Sequence, residues 1–197
     1  MMTEKEPIEQ EFYKDDVKIV AMKLLGKRII RRYEKNRISG IIVETEAYYG
    51  AKDPASRARR EGGKLAEILR GDVGVTMIYG IHRQWLLNIV AHRPRKVGAV
   101  LIRALQPEEG IEIMKRLRGT RDIKNLTNGP GKLTQALAIN KRMHLKPVYL
   151  NEESIKITYG IKIMRNNIIS TKRIGVTKDL KTPLRFYIKG NQYISKK

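Results

Sequence analysis

Ile41-Ile-Val-Glu-Thr-Glu-Ala-Tyr-Tyr-Gly50 is an apolar, β-branched run that takes up two carboxylates and ends on a glycine. Such a run reads as a buried strand. Glu44 and Glu46 stand two apart near its end and so share a face. Tyr48 and Tyr49 follow at once, which sets aromatic planes beside an acceptor at the mouth of a sheet. That combination can hold a flat ring and activate a water. An ion-paired edge residue is the plainer reading of the same spacing.

Outward from this run, residues 27–33 form a second strand, joined to 38–45 as a hairpin by the polar turn Glu34-Lys-Asn-Arg37. A helix over 15–25 precedes it, capped by Asp15 or Asp16, with Val17, Val20, Ala21, Leu24 and Leu25 on one face and Gly26 as its stop. Residues 50–63 read as polar loop or short helix, and 64–70 as a helix ending at Gly71. Two β-rich pieces, 73–79 and 85–91, flank the turn signal Tyr79-Gly80, and 99–105 is a further strand. Pro107 is expected to open an amphipathic helix with Glu108, Glu109 and Glu112 in its first turns and Lys115, Arg116 and Arg118 at its end. Gly129-Pro130 begins a short helix over 132–139, and short strands follow at 153–158, 161–164, 167–173 and 185–189. The pattern is α+β, a single mixed domain with a largely antiparallel sheet, not an alternating βαβ chain. Residues 1–11 read as an acidic, mobile lead and 12–197 as the domain.

The 197 residues suffice for one core, and there is no cysteine. That excludes disulfide frameworks, thiol nucleophiles, cysteine zinc sites and iron–sulfur clusters. No apolar run approaches the roughly 18 residues of a membrane span. The acidic N-terminus does not read as a secretory signal, so a cytoplasmic protein is expected, nucleoid-associated if prokaryotic. Charge is more telling. The net charge is +21, and residues 1–16 hold six acids against two lysines, so the remainder carries +25. A body of that charge attracts polyanions, and nucleic acid is the favoured partner. A basic assembly subunit or a charge-rich thermophile surface are the alternatives.

His82, His92 and His144 are scattered without paired spacing, so no metal site is expected. No GxGxxG follows a strand. Gly129-Pro-Gly-Lys132 has Leu133 where a phosphate loop needs Ser or Thr, although Lys132 and free amides there could meet a DNA phosphate. A plain helix start explains it equally well.

Val43-Glu-Thr-Glu-Ala-Tyr-Tyr-Gly50 with Asp53-Pro-Ala-Ser56 resembles the alkyladenine (3-methyladenine) DNA glycosylase family. Four more segments agree in order: Tyr79-Gly80 ahead of Asn88, Leu101-Ile-Arg-Ala-Leu-Gln-Pro-Glu-Glu-Gly110, Gly129-Pro-Gly-Lys-Leu-Thr-Gln-Ala-Leu-Ala-Ile139 and Pro183-Leu-Arg-Phe-Tyr-Ile-Lys-Gly-Asn191. The resemblance implies a curved sheet with flanking helices and a protruding β-hairpin. It implies hydrolysis of damaged purines from double-stranded DNA by a monomer that uses no cofactor or metal. By the same resemblance Glu46 would be the general base, Arg103 would hold it and its water, and Tyr48 would stack on the extruded base. Asn88 would guard the pocket. Tyr79, at the hairpin tip, would fill the gap in the duplex, with Lys132 and Leu101 as further DNA contacts.

The middle of the chain departs from the family. Arg57 stands where a histidine is usual, Thr76 where an aromatic is usual, and Gly80 to Asn88 is two residues longer. One wall of the base pocket is therefore expected to be rebuilt around Arg57 and Thr76. If Arg57 points to solvent or a phosphate, alkylated purines remain the better substrates. If it faces the pocket, neutral purines such as hypoxanthine gain. The solvent placement is favoured, because long basic side chains keep their heads in water. A non-enzymatic nucleic-acid binder on the same fold, and a ribosome-associated protein, are the competing readings.

Overall fold

The computed structural model describes residues 6–59 and 63–196. Asp16 starts the first helix, α1 (Val17–Leu24), by accepting the Lys18 amide at 3.0 Å, and Val17, Val20, Ala21 and Leu24 form its buried face. β1 (Arg28–Tyr33) and β2 (Asn36–Tyr49) follow as an antiparallel hairpin closed at Tyr33–Asn36. β2 is long because every residue from Ile38 to Ala47 is buried, leaving no polar stretch at which the strand could break.

After α2 (Lys64–Arg70) come β3 (Thr76–Ile81), β4 (Gln84–Val90) and β5 (Gly98–Glu109). Then follow α3 (Ile111–Arg118), α4 (Pro130–Ala136), β6 (Ile155–Thr158), β7 (Ile168–Thr171) and β8 (Arg185–Ile188). The eight strands make one sheet in the order β3-β4-β5-β2-β1-β6, and β8 brings β7 with it. Every described pairing is antiparallel.

β2 is gripped differently along its length. β5 pairs along one edge, while the other edge meets β1 as far as Ile41 and β8 over Glu44–Glu46. The carboxylate end of β2 is therefore an interior strand on both sides. One face of the sheet carries the main core, with Val20, Leu24, Ile42, Ile78, Leu87, Ile89, Val100, Ile102, Leu133 and Phe186 packed together. A smaller apolar cluster of Ala58, Ala66, Leu69, Met77, Val90 and Ala99 lies under α2 on the other face.

Four readings of the sequence need correction. Residues 1–5 lie outside the described residues, but 6–11 are not a loose lead. Ile8 is fully buried and its amide donates to Ile157 at 2.8 Å, while Pro7 bridges Thr158. Burying that one side chain contributes roughly 1.5–3 kcal/mol. A lone isoleucine among charges carries no periodicity to announce it. Secondly, Pro107 opens no helix. It continues β5 opposite Gly40, and Gly110, at φ 72°, makes the turn into α3. A Cβ at Gly110 would come within 2.8 Å of the Arg37 carbonyl oxygen, so glycine is required. Glu108 accordingly pairs with Arg28 and Glu109 accepts from Ser39, across the sheet rather than along a helix. Thirdly, 161–164 is not a strand, and its one ladder-like bond is Ile161 N–H to the Gly26 carbonyl.

The fourth correction concerns the β3–β4 hairpin. Tyr79 and Gly80 lie inside β3, paired with Leu86 and Trp85, and the turn is His82-Arg83. Both turn residues have positive φ, 49° and 62°. A two-residue turn of that shape normally takes Asn-Gly. Holding side-chain-bearing residues there costs roughly 1–2 kcal/mol each.

Candidate active site

The register between β2 and β5 slips on either side of Glu44, so that Glu44 faces Ala104 while Thr45 faces Ile102. Arg103, left between them, has no opposite residue. Such bulges re-aim a side chain. Here the guanidinium reaches both acids of β2: Nε donates to Glu44 Oε1 at 3.1 Å and Nη1 to Glu46 Oε2 at 3.2 Å. Thr45, between the two acids, points to the opposite face and donates to the Ala21 carbonyl.

Glu46 is fully buried. Its Oε2 also accepts the Tyr48 hydroxyl at 2.8 Å, and Oε1 accepts the Ile174 amide at 2.8 Å. Burial pushes its pKa above the ordinary carboxylate value, against the opposing pull of Arg103, the Ile174 amide and Tyr48. Oε1 makes one of the hydrogen bonds it can accept, and a water can take the other.

Glu44 has a different task. Besides Arg103 it accepts Arg185 Nε at 2.7 Å and both the amide and hydroxyl of Ser195. Ser195 Oγ in turn accepts Arg103 Nη2 at 3.3 Å. Glu44 thus ties β5, β8 and the chain's last residues to the arginine that holds Glu46.

Tyr48 carries a cation on one side of its ring: the Arg173 guanidinium carbon sits 4.5 Å from the centroid. A base can stack only on the other side. Arg173 also pairs with Asp53 through two bonds of 2.7 Å, meets Asp179 at 2.6 Å and donates to the Ala47 carbonyl. Sequence reasoning missed Arg173, Asp179 and the Ile174 amide. In a chain with 41 basic residues, a buried arginine looks like its exposed neighbours.

The remaining expected site residues divide. Asn88, buried, sits opposite Met77 and next to Leu101 in register, and Leu101 lies opposite Glu46. Leu101 is only 4% exposed, so it floors the site and is not an outward DNA contact. Tyr79 points to this face and is not at the tip. Burial raises its hydroxyl pKa, while Arg57 and Asn88 pull it down. Arg57 is exposed, with its guanidinium carbon 5.6 Å from the centroid of the Tyr79 ring. Asp53 does not neutralise it, being committed to Arg173. Thr76 is not in the pocket. It is fully buried on the opposite face, donating to the Met143 carbonyl and accepting the Lys146 amide at 3.1 Å, because alternation along β3 sends 76 and 78 one way and 77 and 79 the other. Lys132 donates to the neutral side chains of Asn125 and Asn128, so it braces its own loop and keeps its charge and a third N–H. Arg57 and Gly175, the neighbour of Ile174, share a cleft of about 470 Å³ with Pro54 and Thr177.

A carboxylate whose burial favours taking up a proton suits the activation of water, and the surplus of positive charge directs that chemistry to nucleic acid. Fold, buried carboxylate and charge together are compatible with a hydrolase that acts on nucleic acid. The sequence profile of the methylpurine-DNA glycosylase (MPG) family matches residues 11–192, and the chain belongs to that family. It is 40% identical over 191 residues to a protein of Carboxydothermus hydrogenoformans, covering 95% of this chain and 98% of that one. A protein of Aeropyrum pernix is 38% identical over 188 residues, covering 95% and 92%. One of Bacillus licheniformis is 38% identical over 197 residues, covering 97% of each. All three are provisionally named 3-methyladenine DNA glycosylase. The protein is thus a DNA glycosylase, a hydrolase of N-glycosyl bonds in base excision repair, and its substrate is DNA. Among the described residues no helix is long and apolar enough to cross a membrane.

Proposed function

We propose that the protein turns a damaged purine out of duplex DNA and hydrolyses its N-glycosidic bond with a water activated by Glu46. The water's proton passes to Glu46, its oxygen bonds to C1′, and the C1′–N9 electrons leave with the base. The products are free base and an uncut abasic site. Arg103 orients the carboxylate, Tyr48 stacks on the base, and Asn88 tests its edge. The observation that carries this reading is Glu46 itself, fully buried yet held at both oxygens, with a raised pKa. The reaction is read as needing no metal. The protein is read as a cytoplasmic monomer. Duplexes with single modified purines, scored for released base, test the proposal. Binding without release from any modified purine would overturn it.

Two further outcomes follow. Duplex affinity should fall steeply with salt, with a log–log slope steeper than about −5 if six or more phosphates are neutralised. A titration between low and physiological salt reads it, and a flat curve would deny phosphate-driven binding.

The position of Arg57 bears on substrate choice. Held over Tyr79 without an ion pair among the described residues, it places a positive charge at the edge of the site. At about 7 Å this disfavours a cationic base by roughly 0.6–2.4 kcal/mol, about 3- to 50-fold, depending on the effective dielectric. Arg57→His should therefore raise release of 3- or 7-alkylated purines relative to hypoxanthine. An unchanged ratio in the two proteins would place the charge too far away to matter.

A further inference from the structure

Residues 190–196 form neither helix nor strand, and segments of that kind near a terminus stay mobile unless something ties them down. Here several contacts do. The Asn191 side chain donates to Gln106 Oε1 at 2.9 Å and accepts the Tyr193 amide at 2.9 Å. Tyr193 and Ile194 then pack on Ile41, Val43 and Ala104, beside the acidic end of β2. The Lys196 carbonyl accepts from Arg185.

What these contacts fix is Ser195. Its amide donates to Glu44 Oε2 at 2.5 Å and its hydroxyl to Glu44 Oε1 at 2.8 Å. The same hydroxyl oxygen accepts Arg103 Nη2 at 3.3 Å. Each nitrogen of the Arg103 guanidinium thus has a partner of its own: Nε has Glu44, Nη1 has Glu46 and Nη2 has Ser195. A rigid planar fork held at three corners cannot turn. Released at one corner, it would be free to take both oxygens of Glu44 in the usual bidentate pairing and leave Glu46. The Ser195 amide on Oε2 and the Ser195 hydroxyl on Nη2 both work against that.

We infer that Ser195 is a positioning residue for base release: it keeps Arg103 shared between Glu44 and Glu46, and so keeps the Glu46 carboxylate aimed at the water it activates. The inference rests on the reading of Glu46 as the proton acceptor.

The charged and titratable neighbours of Glu46 are Glu44 and Tyr48 on β2, Tyr79 on β3, Arg103 on β5 and Arg185 opposite it on β8, with Arg173 beyond the Tyr48 ring. Burial raises the Glu46 pKa, and Arg103 is the main influence holding it down. A guanidinium that leaves Glu46 lets that pKa rise further, so the ionised acceptor is lost at a higher pH.

Ser195→Ala removes the hydroxyl and leaves the amide on Glu44. Single-turnover release should fall about 10- to 100-fold, as for a slightly misplaced catalytic group, with substrate affinity within about threefold of wild type. The acid limb of the rate profile should move up by about 0.5–1 pH units, part of what an adjacent opposite charge supplies. Ser195→Thr, which keeps the hydroxyl, should restore both. NMR titration of isotope-labelled glutamate carboxyls reads the same change without substrate: the resonance that disappears in Glu46→Gln should titrate at higher pH in Ser195→Ala. A Ser195→Ala protein that melts lower but keeps the wild-type acid limb and titration would make Ser195 a structural contact and overturn the inference, as would release at the wild-type rate. The upward titration in a protein that releases no base from any modified purine would instead count against the hydrolytic reading and leave the hold of Ser195 on Arg103 standing.

Discussion

Glu46→Gln is expected to lower base release by about 10²–10⁴-fold, the usual contribution of a positioned proton acceptor, while duplex binding stays within a few-fold of wild type. The amide keeps an oxygen for the Ile174 N–H but cannot take a proton from water. The wild-type pH profile should bear the same signature. Because burial raises the pKa of Glu46 above its ordinary 4.5, the active, ionised form is lost on acidification sooner than for an exposed carboxylate. Release should fall below that raised value, and the limb should vanish in the residual activity of the variant. Glu44→Gln is not a silent comparison, although its sequence position two residues away makes it look like one. It holds Arg103, Arg185 and Ser195, so its loss should cost stability as well as rate. The two variants are separated by melting: Glu46→Gln should lose activity out of proportion to any change in midpoint. If base release survives in Glu46→Gln, another group activates the water.

What the sequence made legible was whatever repeats or alternates. β2 announced itself through its unbroken apolar run, and the two acids at its end stood out because carboxylates are scarce in so basic a chain. Arg103 was legible from its motif, but the register slip that aims it was not, since a bulge leaves no mark on composition. Pro107 misled because proline and three acids imitate a helix start, when in fact Glu108 and Glu109 pair across the sheet with Arg28 and Ser39 and only Glu112 lies in α3. Thr76 was misplaced for the opposite reason. Counting back three from Tyr79 ignores strand alternation, which puts the two side chains on opposite faces. Arg57 lay between two readings, exposed as a long basic side chain usually is, yet retained over an aromatic ring.

Arg173 is the residue whose removal should cost the fold most. Its side chain is fully buried, as is that of Asp53, and the two meet through a pair of 2.7 Å bonds while Asp179 closes a third side. Burial opposes the charge on the guanidinium, but the two carboxylates outweigh it and raise its pKa. In Arg173→Met the Asp53 carboxylate would stay buried without its cation, with only the Tyr49 and Ala55 amides to hold it. Breaking one side of such a pair costs roughly 3–5 kcal/mol. For a chain of this size that is a fall in melting midpoint of about 6–20 °C. Adding Asp53→Asn removes the stranded charge and should recover more than half of that fall. It should not recover base release, because Tyr48 would still lack the cation against its ring and the Ala47 carbonyl its donor. The defect should appear in substrate binding rather than in the acid limb set by Glu46, since Arg173 touches the stacking ring and not the base. A single variant melting within a degree or two of wild type would show that the pair contributes little. A double variant with full activity would confine Arg173 to folding and leave Tyr48 to hold its own orientation.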